Sequence, residues 1–220
     1  MDVNMHTKII NNTVEFVKKE LEGNESGHDW WHIHRVWNTA KTIASSEQVD
    51  RFVVELGALL HDVADSKFHN GDETIGPKVA KDFLITQNIP ESTIKQVVAI
   101  IENISFKGGN FTTTYSSKEL DVVQDADRLD AIGAIGIART FNYGGYKNNE
   151  IHNPSRNPKL NKTKEEYKKG SDTTINHFYE KLLLLKDRMN TETGLKMAEQ
   201  RHNFMEMYLK QFYSEWDGKL

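Results

Sequence analysis

The sequence LGALLHDVADSKFH, Leu56 to His69, places a histidine and an aspartate side by side at the end of an apolar run. Its leucines recur at helical spacing, and His61 and Asp62 flank that apolar face instead of lying at its centre. Burying a charged group is costly unless the group is paired or bound to a metal ion. The stretch is therefore either a solvated loop that follows a helix or one part of a metal site.

A second segment, HDWWHIHRVW from His28 to Trp37, holds three histidines. His32 and His34 border the apolar stripe of the predicted helix from opposite edges, so periodicity does not choose between them. Both are candidate ligands at this point.

A third segment, VVQDADRLDAIGAIG, places Asp125, Asp127 and Asp130 in a helix whose other residues are mostly apolar. Carboxylates so close to a core face need a partner. Pairing with Arg128 or Arg139 is enough for one of the three. The others are candidates for binding a cation.

The composition of the chain excludes several kinds of functional site and several classes of protein. The chain has 220 residues and no cysteine, which excludes disulfides, thiolate metal sites and cysteine nucleophiles. A net charge of −4 disfavours a globally basic nucleic-acid binder. No apolar run approaches the roughly 18 residues that a membrane span needs, and the N-terminus MDVNMHTKII lacks the features of a signal peptide. We therefore expect a soluble cytoplasmic protein.

The pattern along the chain predicts an all-α, single-domain helical bundle over residues 1–220. Apolar residues recur every three or four positions, and no convincing run of alternating residues predicts a strand. One long helix is predicted from Leu120 to near Phe141, and another from Ile175 to Met189. Residues 144–172 are polar and contain two prolines, which fits either a lid over a site or a plain insertion. The C-terminal helices are predicted over residues 173–216.

Histidine and aspartate side chains thus border core helices in three separate segments. Mixed nitrogen and oxygen ligands suit a hard or borderline divalent ion. The remaining coordination positions are left for water and substrate, which is the arrangement that a metal-activated nucleophile requires.

The stretches HIHRV, ALLHDVADSKFH and QDADRLDAIGAIG resemble the motifs of the HD-domain metal-dependent phosphohydrolase superfamily. The resemblance is strongest to its small bacterial members implicated in nucleotide hydrolysis, and its motif core covers about residues 27–141. It implies a helical bundle of the HD type. It also implies His32, His61, Asp62 and Asp127 as metal ligands, with His34 as the alternative to His32 and Asp130 outside the ligand set.

The implied reaction is hydrolysis of nucleotides by a metal-activated water, with release of pyrophosphate from nucleoside or deoxynucleoside triphosphates. The cofactor is one divalent ion, Mn²⁺ by preference, with Mg²⁺, Co²⁺, Ni²⁺ or Fe²⁺ as alternatives. Asp65 is the candidate for orienting the water or handling its proton, and Lys67 for assisting at the phosphate. The candidate substrate-binding residues are Lys107, Arg139, Tyr146, Lys181 and Arg201.

Two other functions remain open. One is a phosphatase or phosphodiesterase that acts on nucleoside monophosphates or cyclic nucleotides, and the other is a non-catalytic domain that binds a nucleotide. The expected partner is a small-molecule nucleotide, with no membrane and no stable nucleic-acid partner. The aromatic stripe of the last helix fits either the core or a homodimer interface.

Overall fold

The computed structural model describes residues 3–23, 29–64, 72, 74–104, 115–160 and 173–220. Asp65, Lys67 and Lys107 lie outside these ranges, so their predicted roles stay predictions. The helices in the described ranges are α1 (Val3–Glu20), α2 (Trp30–Ala44), α3 (Arg51–Leu60), α4 (Ile75–Thr86), α5 (Glu91–Asn103), α6 (Lys118–Asp130), α7 (Gly133–Tyr146), α8 (Thr174–Glu180) and α9 (Glu192–Trp216).

The all-α prediction is confirmed. Across the described ranges, the only β-type pairing outside the helices is an isolated bridge between Glu150 and Thr173. No helix in that part of the chain is both long enough and apolar enough to cross a lipid bilayer.

The described residues divide into two compact units, one that ends at Asp127 and one that runs from Arg128 to Leu220. The predicted single domain over residues 1–220 therefore stays a prediction.

Helix α3 is the centre of the first unit. Seven of its ten residues are buried, and it packs against α1, α2 and α5. A helix that is apolar on nearly every side has to be surrounded by other elements. Its N-terminus is fixed by Asp50, whose carboxylate accepts hydrogen bonds from the backbone N–H groups of Phe52 and Val53. This placement brings the C-terminal end of α3, where His61 lies, next to α2.

In the second unit, α7 packs against α8 and α9. The segment after α7 is joined to α8 by hydrogen bonds, because the backbone N–H of Thr174 donates to Glu150 and the side chain of Asn176 donates to the carbonyl of Arg156. This segment is part of the predicted loop 144–172, whose predicted start is wrong because residues 144–146 belong to α7. Residues 161–172 lie outside the described ranges, so the lid stays a prediction.

Two of the predicted long helices are wrong, because each is interrupted in the structure. The helix expected from Leu120 to Phe141 is two helices, since α6 ends at Asp130 and α7 begins at Gly133, whose φ of +74° is left-handed. The helix expected from Ile175 to Met189 stops at Glu180. Two short 3₁₀ helices follow it, Leu182–Leu184 and Lys186–Arg188. In both cases the apolar residues keep their helical spacing past the point where the helix ends.

Candidate metal centre

Three of the four predicted metal ligands converge in the first unit. His32 comes from α2, His61 from the residue that caps α3, and Asp127 from the last turn of α6. The Nε2 atom of His32 lies 3.3 Å from Nε2 of His61 and 3.5 Å from Oδ1 of Asp127. The Nε2 atom of His61 lies 3.8 Å from the same carboxylate oxygen. The three side chains thus present one nitrogen or oxygen atom each to a common point.

These distances suit a divalent cation. The circle through three points 3.3, 3.5 and 3.8 Å apart has a radius of about 2.1 Å, close to the bond lengths that nitrogen and oxygen ligands make to such ions. The histidine side chains are 3% and 4% exposed, whereas that of Asp127 is 37% exposed. The accessible side at Asp127 leaves room at this point for further ligands such as water or substrate, which a closed structural metal site does not.

A backbone carbonyl orients the ring of His61. Its Nδ1 atom lies 2.9 Å from the carbonyl oxygen of Ala58, and because that oxygen can only accept, Nδ1 is the protonated nitrogen. In the neutral imidazole, the Nε2 atom then carries the lone pair, and it is the atom that faces His32 and Asp127. A hydrogen bond of this kind to the far nitrogen is usual for metal-binding histidines.

His32 is positioned by the start of its helix. The carboxylate of Asp29 accepts a hydrogen bond from the backbone N–H of His32 and so caps the N-terminus of α2. Neither this cap nor the Ala58 carbonyl was identified from the sequence. The cap could have been predicted, because an aspartate directly precedes the apolar run of α2, whereas the contact with the Ala58 carbonyl depends on the rotamer of His61.

The structure favours His32 over His34. His34 lies among tryptophan rings, with its centroid 5.7 Å from that of Trp30 and 6.4 Å from that of Trp37, and its Nε2 atom is 3.0 Å from the side-chain nitrogen of Asn38. This environment accounts for His34 without a metal.

Asp62 follows His61 directly and is half-buried. It is not among the three residues whose ligand atoms lie within 4.8 Å of one another. Its role as the fourth ligand stays a prediction, as do the roles of Asp65 and Lys67.

Asp130 is paired with Arg139, one of the two arginines that the sequence offered as partners. Its buried carboxylate lies 2.7 Å from Nη1 of Arg139, which confirms the structural interpretation for this one of the three aspartates. Arg201 donates to the carbonyl of Leu129.

The four candidate substrate-binding residues in the described ranges all belong to the second unit: Arg139, Tyr146, Lys181 and Arg201. Tyr146 is 73% exposed and its ring centroid is 6.4 Å from that of Tyr143. Lys181 caps the C-terminus of α8 through its backbone N–H. Their role in binding substrate stays a prediction.

Comparison with known proteins identifies the family to which this fold belongs. The HD domain family model matches residues 30–132, a range that contains all three converging side chains. The Bacillus subtilis protein YpgQ is 36% identical over 206 residues, which cover 92% of this chain and 91% of YpgQ. This chain belongs to the HD-domain phosphohydrolase superfamily.

Solved structures resemble the chain over nearly its whole length. An HD-superfamily hydrolase from Bacillus thuringiensis is 43% identical, with a TM-score of 0.79 and coverage of 96% of this chain and 98% of that one. The structure of YpgQ in complex with ADP is 34% identical, with a TM-score of 0.76 and 96% coverage of both chains. The similarity therefore extends beyond the motif core of the HD domain to the C-terminal helices.

Proposed function

We propose that this HD-superfamily hydrolase is a metal-dependent phosphohydrolase that cleaves nucleoside or deoxynucleoside triphosphates and releases pyrophosphate. The observation that carries the proposal is the convergence of His32, His61 and Asp127 on one point with an accessible side at Asp127. The complex of the similar protein YpgQ with ADP supports a nucleotide as the ligand.

The proposed ligands are His32, His61, Asp62 and Asp127. A bound divalent cation supplies Lewis acidity, which lowers the pKa of water and offsets negative charge on phosphoryl oxygens. The Ala58 carbonyl holds the proton of His61 on Nδ1, so that Nε2 keeps its lone pair for binding. The Asp127 carboxylate contributes negative charge at the accessible side of the site.

In the proposed reaction, water attacks the α-phosphorus and the bond from that phosphorus to the bridging oxygen of the β-phosphate breaks. Pyrophosphate leaves, and a nucleoside monophosphate remains. Asp65 orients the water and accepts its proton on a carboxylate oxygen, and Lys67 offsets charge on the phosphate. Lys107 is the further cation assigned to the phosphates.

The products distinguish this function from its alternatives. The experiment incubates the protein with nucleoside tri-, di- and monophosphates and with cyclic nucleotides, with Mn²⁺, Mg²⁺, Co²⁺ and Ni²⁺ in turn, and identifies the products by chromatography. Pyrophosphate from triphosphates is the expected result. Orthophosphate from monophosphates, or monophosphates from cyclic nucleotides, indicates the phosphatase or phosphodiesterase alternative instead. Nucleotide binding without any product indicates a non-catalytic domain.

The same assay tests the proposed residues. His61→Ala and Asp62→Ala are expected to abolish product formation, and Asp65→Asn to lower it while metal binding persists. Treatment with EDTA should stop the reaction, and addition of Mn²⁺ should restore it. Full activity of His61→Ala contradicts the proposed centre.

A further inference from the structure

The C-terminal end of α6 is held by two arginine side chains, Arg139 and Arg201, which we call the α6 arginine pair. The sequence predicted that both bind substrate phosphate. Both donate hydrogen bonds to the last two residues of α6, Leu129 and Asp130. These residues follow the proposed metal ligand Asp127 by two and three positions, within the same helical turn.

Arg139 holds Asp130 at two atoms. Its Nη1 atom donates to Oδ2 of the Asp130 carboxylate at 2.7 Å and lies 3.3 Å from the Asp130 carbonyl oxygen. The side chain of Asp130 is only 4% exposed and that of Arg139 is 27% exposed. A charge-assisted hydrogen bond to so buried a carboxylate is stronger than one between neutral groups.

Arg201, from α9, contacts Leu129, the residue before Asp130. Its Nη1 atom donates to the carbonyl of Leu129, and its side chain lies directly over Gly133 at the start of α7. A Cβ atom at Gly133 would lie 2.9 Å from Cγ of Arg201, so the glycine leaves room for this approach. Burial lowers the pKa of the Arg201 guanidinium, and the charge of Asp130 opposes that shift.

These contacts lie at the C-terminal end of a helix, where hydrogen-bond donors and positive charge are stabilising. The last four carbonyls of a helix have no partner within it, and they form the negative end of the helix dipole. Two guanidinium groups at this end supply both hydrogen bonds and positive charge. They fix the backbone of the last turn of α6, and the direction of the Asp127 side chain depends on that backbone.

We propose that the α6 arginine pair positions Asp127 for metal binding by holding the last turn of α6, so that Arg139 and Arg201 are positioning residues and not phosphate ligands. The proposal rests on the metal centre of His32, His61 and Asp127. It does not depend on which nucleotide is cleaved.

The test measures Mn²⁺ affinity by titration calorimetry on the full chain without nucleotide. Arg139→Met and Arg201→Met are each expected to weaken Mn²⁺ binding about 10-fold, the low end of the effect of losing a group that supports a metal ligand. Lys210→Met removes an exposed charge from the same helix as Arg201 and is expected to leave the affinity unchanged. Arg201→Lys keeps the charge and a donor for Leu129, and it should recover part of the loss.

Steady-state kinetics at saturating Mn²⁺ separate positioning from substrate binding. Positioning residues leave KM for the nucleotide close to that of the wild type once the metal site is filled. A raised KM with unchanged Mn²⁺ affinity means that the arginines bind phosphate, and it overturns the proposal. A lower melting temperature with unchanged Mn²⁺ affinity means that they only stabilise the fold, and it also overturns the proposal.

The outcomes also separate this inference from the proposed function. Suppose that the wild type binds Mn²⁺, that Asp127→Asn does not, and that no nucleotide is cleaved. The hydrolase proposal then fails, while the Mn²⁺ affinities of the arginine variants still decide the inference about the α6 arginine pair. If the wild type does not bind Mn²⁺, both fail. Circular dichroism checks that each variant is folded. Where a methionine variant does not fold, Arg139→Lys or Arg201→Lys replaces it, with the same weakening expected to a smaller degree.

Discussion

At the residue scale, two histidines only two positions apart on α2 have different surroundings. His32 is 2% exposed and faces His61 and Asp127, whereas His34 lies against tryptophan rings. The sequence could not choose between them by periodicity, because both border the apolar stripe. Which histidine is the ligand depends on which neighbouring helix packs against each edge of the apolar stripe, and only the tertiary structure shows this.

The difference between these histidines predicts opposite effects of substitution. His32→Asn removes a ligand nitrogen and is expected to weaken Mn²⁺ binding by about 100-fold or more, above the usual effect of changes outside the ligand set. His34→Gln keeps a hydrogen-bonding group beside Asn38 and should leave the affinity as it is. Titration calorimetry on both variants checks this. Equal losses in the two variants, or a larger loss in His34→Gln, would contradict the assignment of His32 as the ligand in preference to His34.

Other parts of the site differ in how far the sequence could predict them. The adjacent pair His61 and Asp62 stands out because charged groups end an apolar run, and Asp127 stands out because carboxylates lie in an apolar helix. The partner of Asp130 was narrowed to two arginines but not decided, since Arg128 and Arg139 both lie within reach along the sequence. Arg201 is 71 residues from Asp130 in the chain, and nothing in the local pattern links them.

At the element scale, helical periodicity predicted that helices exist but not where they break. The apolar residues of α6 and α7 keep a helical spacing through Ala131 and Ile132, so the break between these helices is not visible in the pattern. The backbone turns because Gly133 adopts a positive φ that other residues rarely adopt. A glycine inside an apolar run was the one local indication of this turn.

Two neighbouring glycines in the last turn of α7 form a matched pair for testing helix packing. A Cβ atom at Gly144 would overlap the hydroxyl of Thr174, a buried residue in the first turn of α8, whereas a Cβ atom at Gly145 meets nothing within 4 Å. We expect Gly144→Ala to lower the free energy of unfolding by about 1–3 kcal/mol through overpacking.

Gly145→Ala, in contrast, is expected to raise the free energy of unfolding by up to about 1 kcal/mol, because alanine favours the helix. Urea denaturation monitored by circular dichroism compares the two variants under the same conditions. Destabilisation of similar size in both would mean that the close contact with Thr174 does not determine the outcome.

At the scale of the whole molecule, the proposed metal ligands link parts of the first unit that are far apart in sequence. His32, His61 and Asp127 lie on three elements separated by 29 and 66 residues. The sequence predicted this convergence through the motifs. It did not predict the division of the chain into two compact units at Asp127 and Arg128, because the same helix, α6, runs through that boundary without a change in composition.

Since these ligands come together only in the folded chain, metal binding should raise the melting temperature. A ligand at 100 times its Kd stabilises the folded state by about 2.7 kcal/mol, and a chain of this size gains roughly 2–4 °C for each kcal/mol. Saturating Mn²⁺ is therefore expected to raise the melting temperature by about 5–11 °C in differential scanning calorimetry. If the two units unfold separately, only the transition of the first unit should move. His61→Ala should abolish the shift and Lys210→Met should retain it, and an equal shift in His61→Ala would mean that Mn²⁺ stabilises the chain somewhere other than this centre.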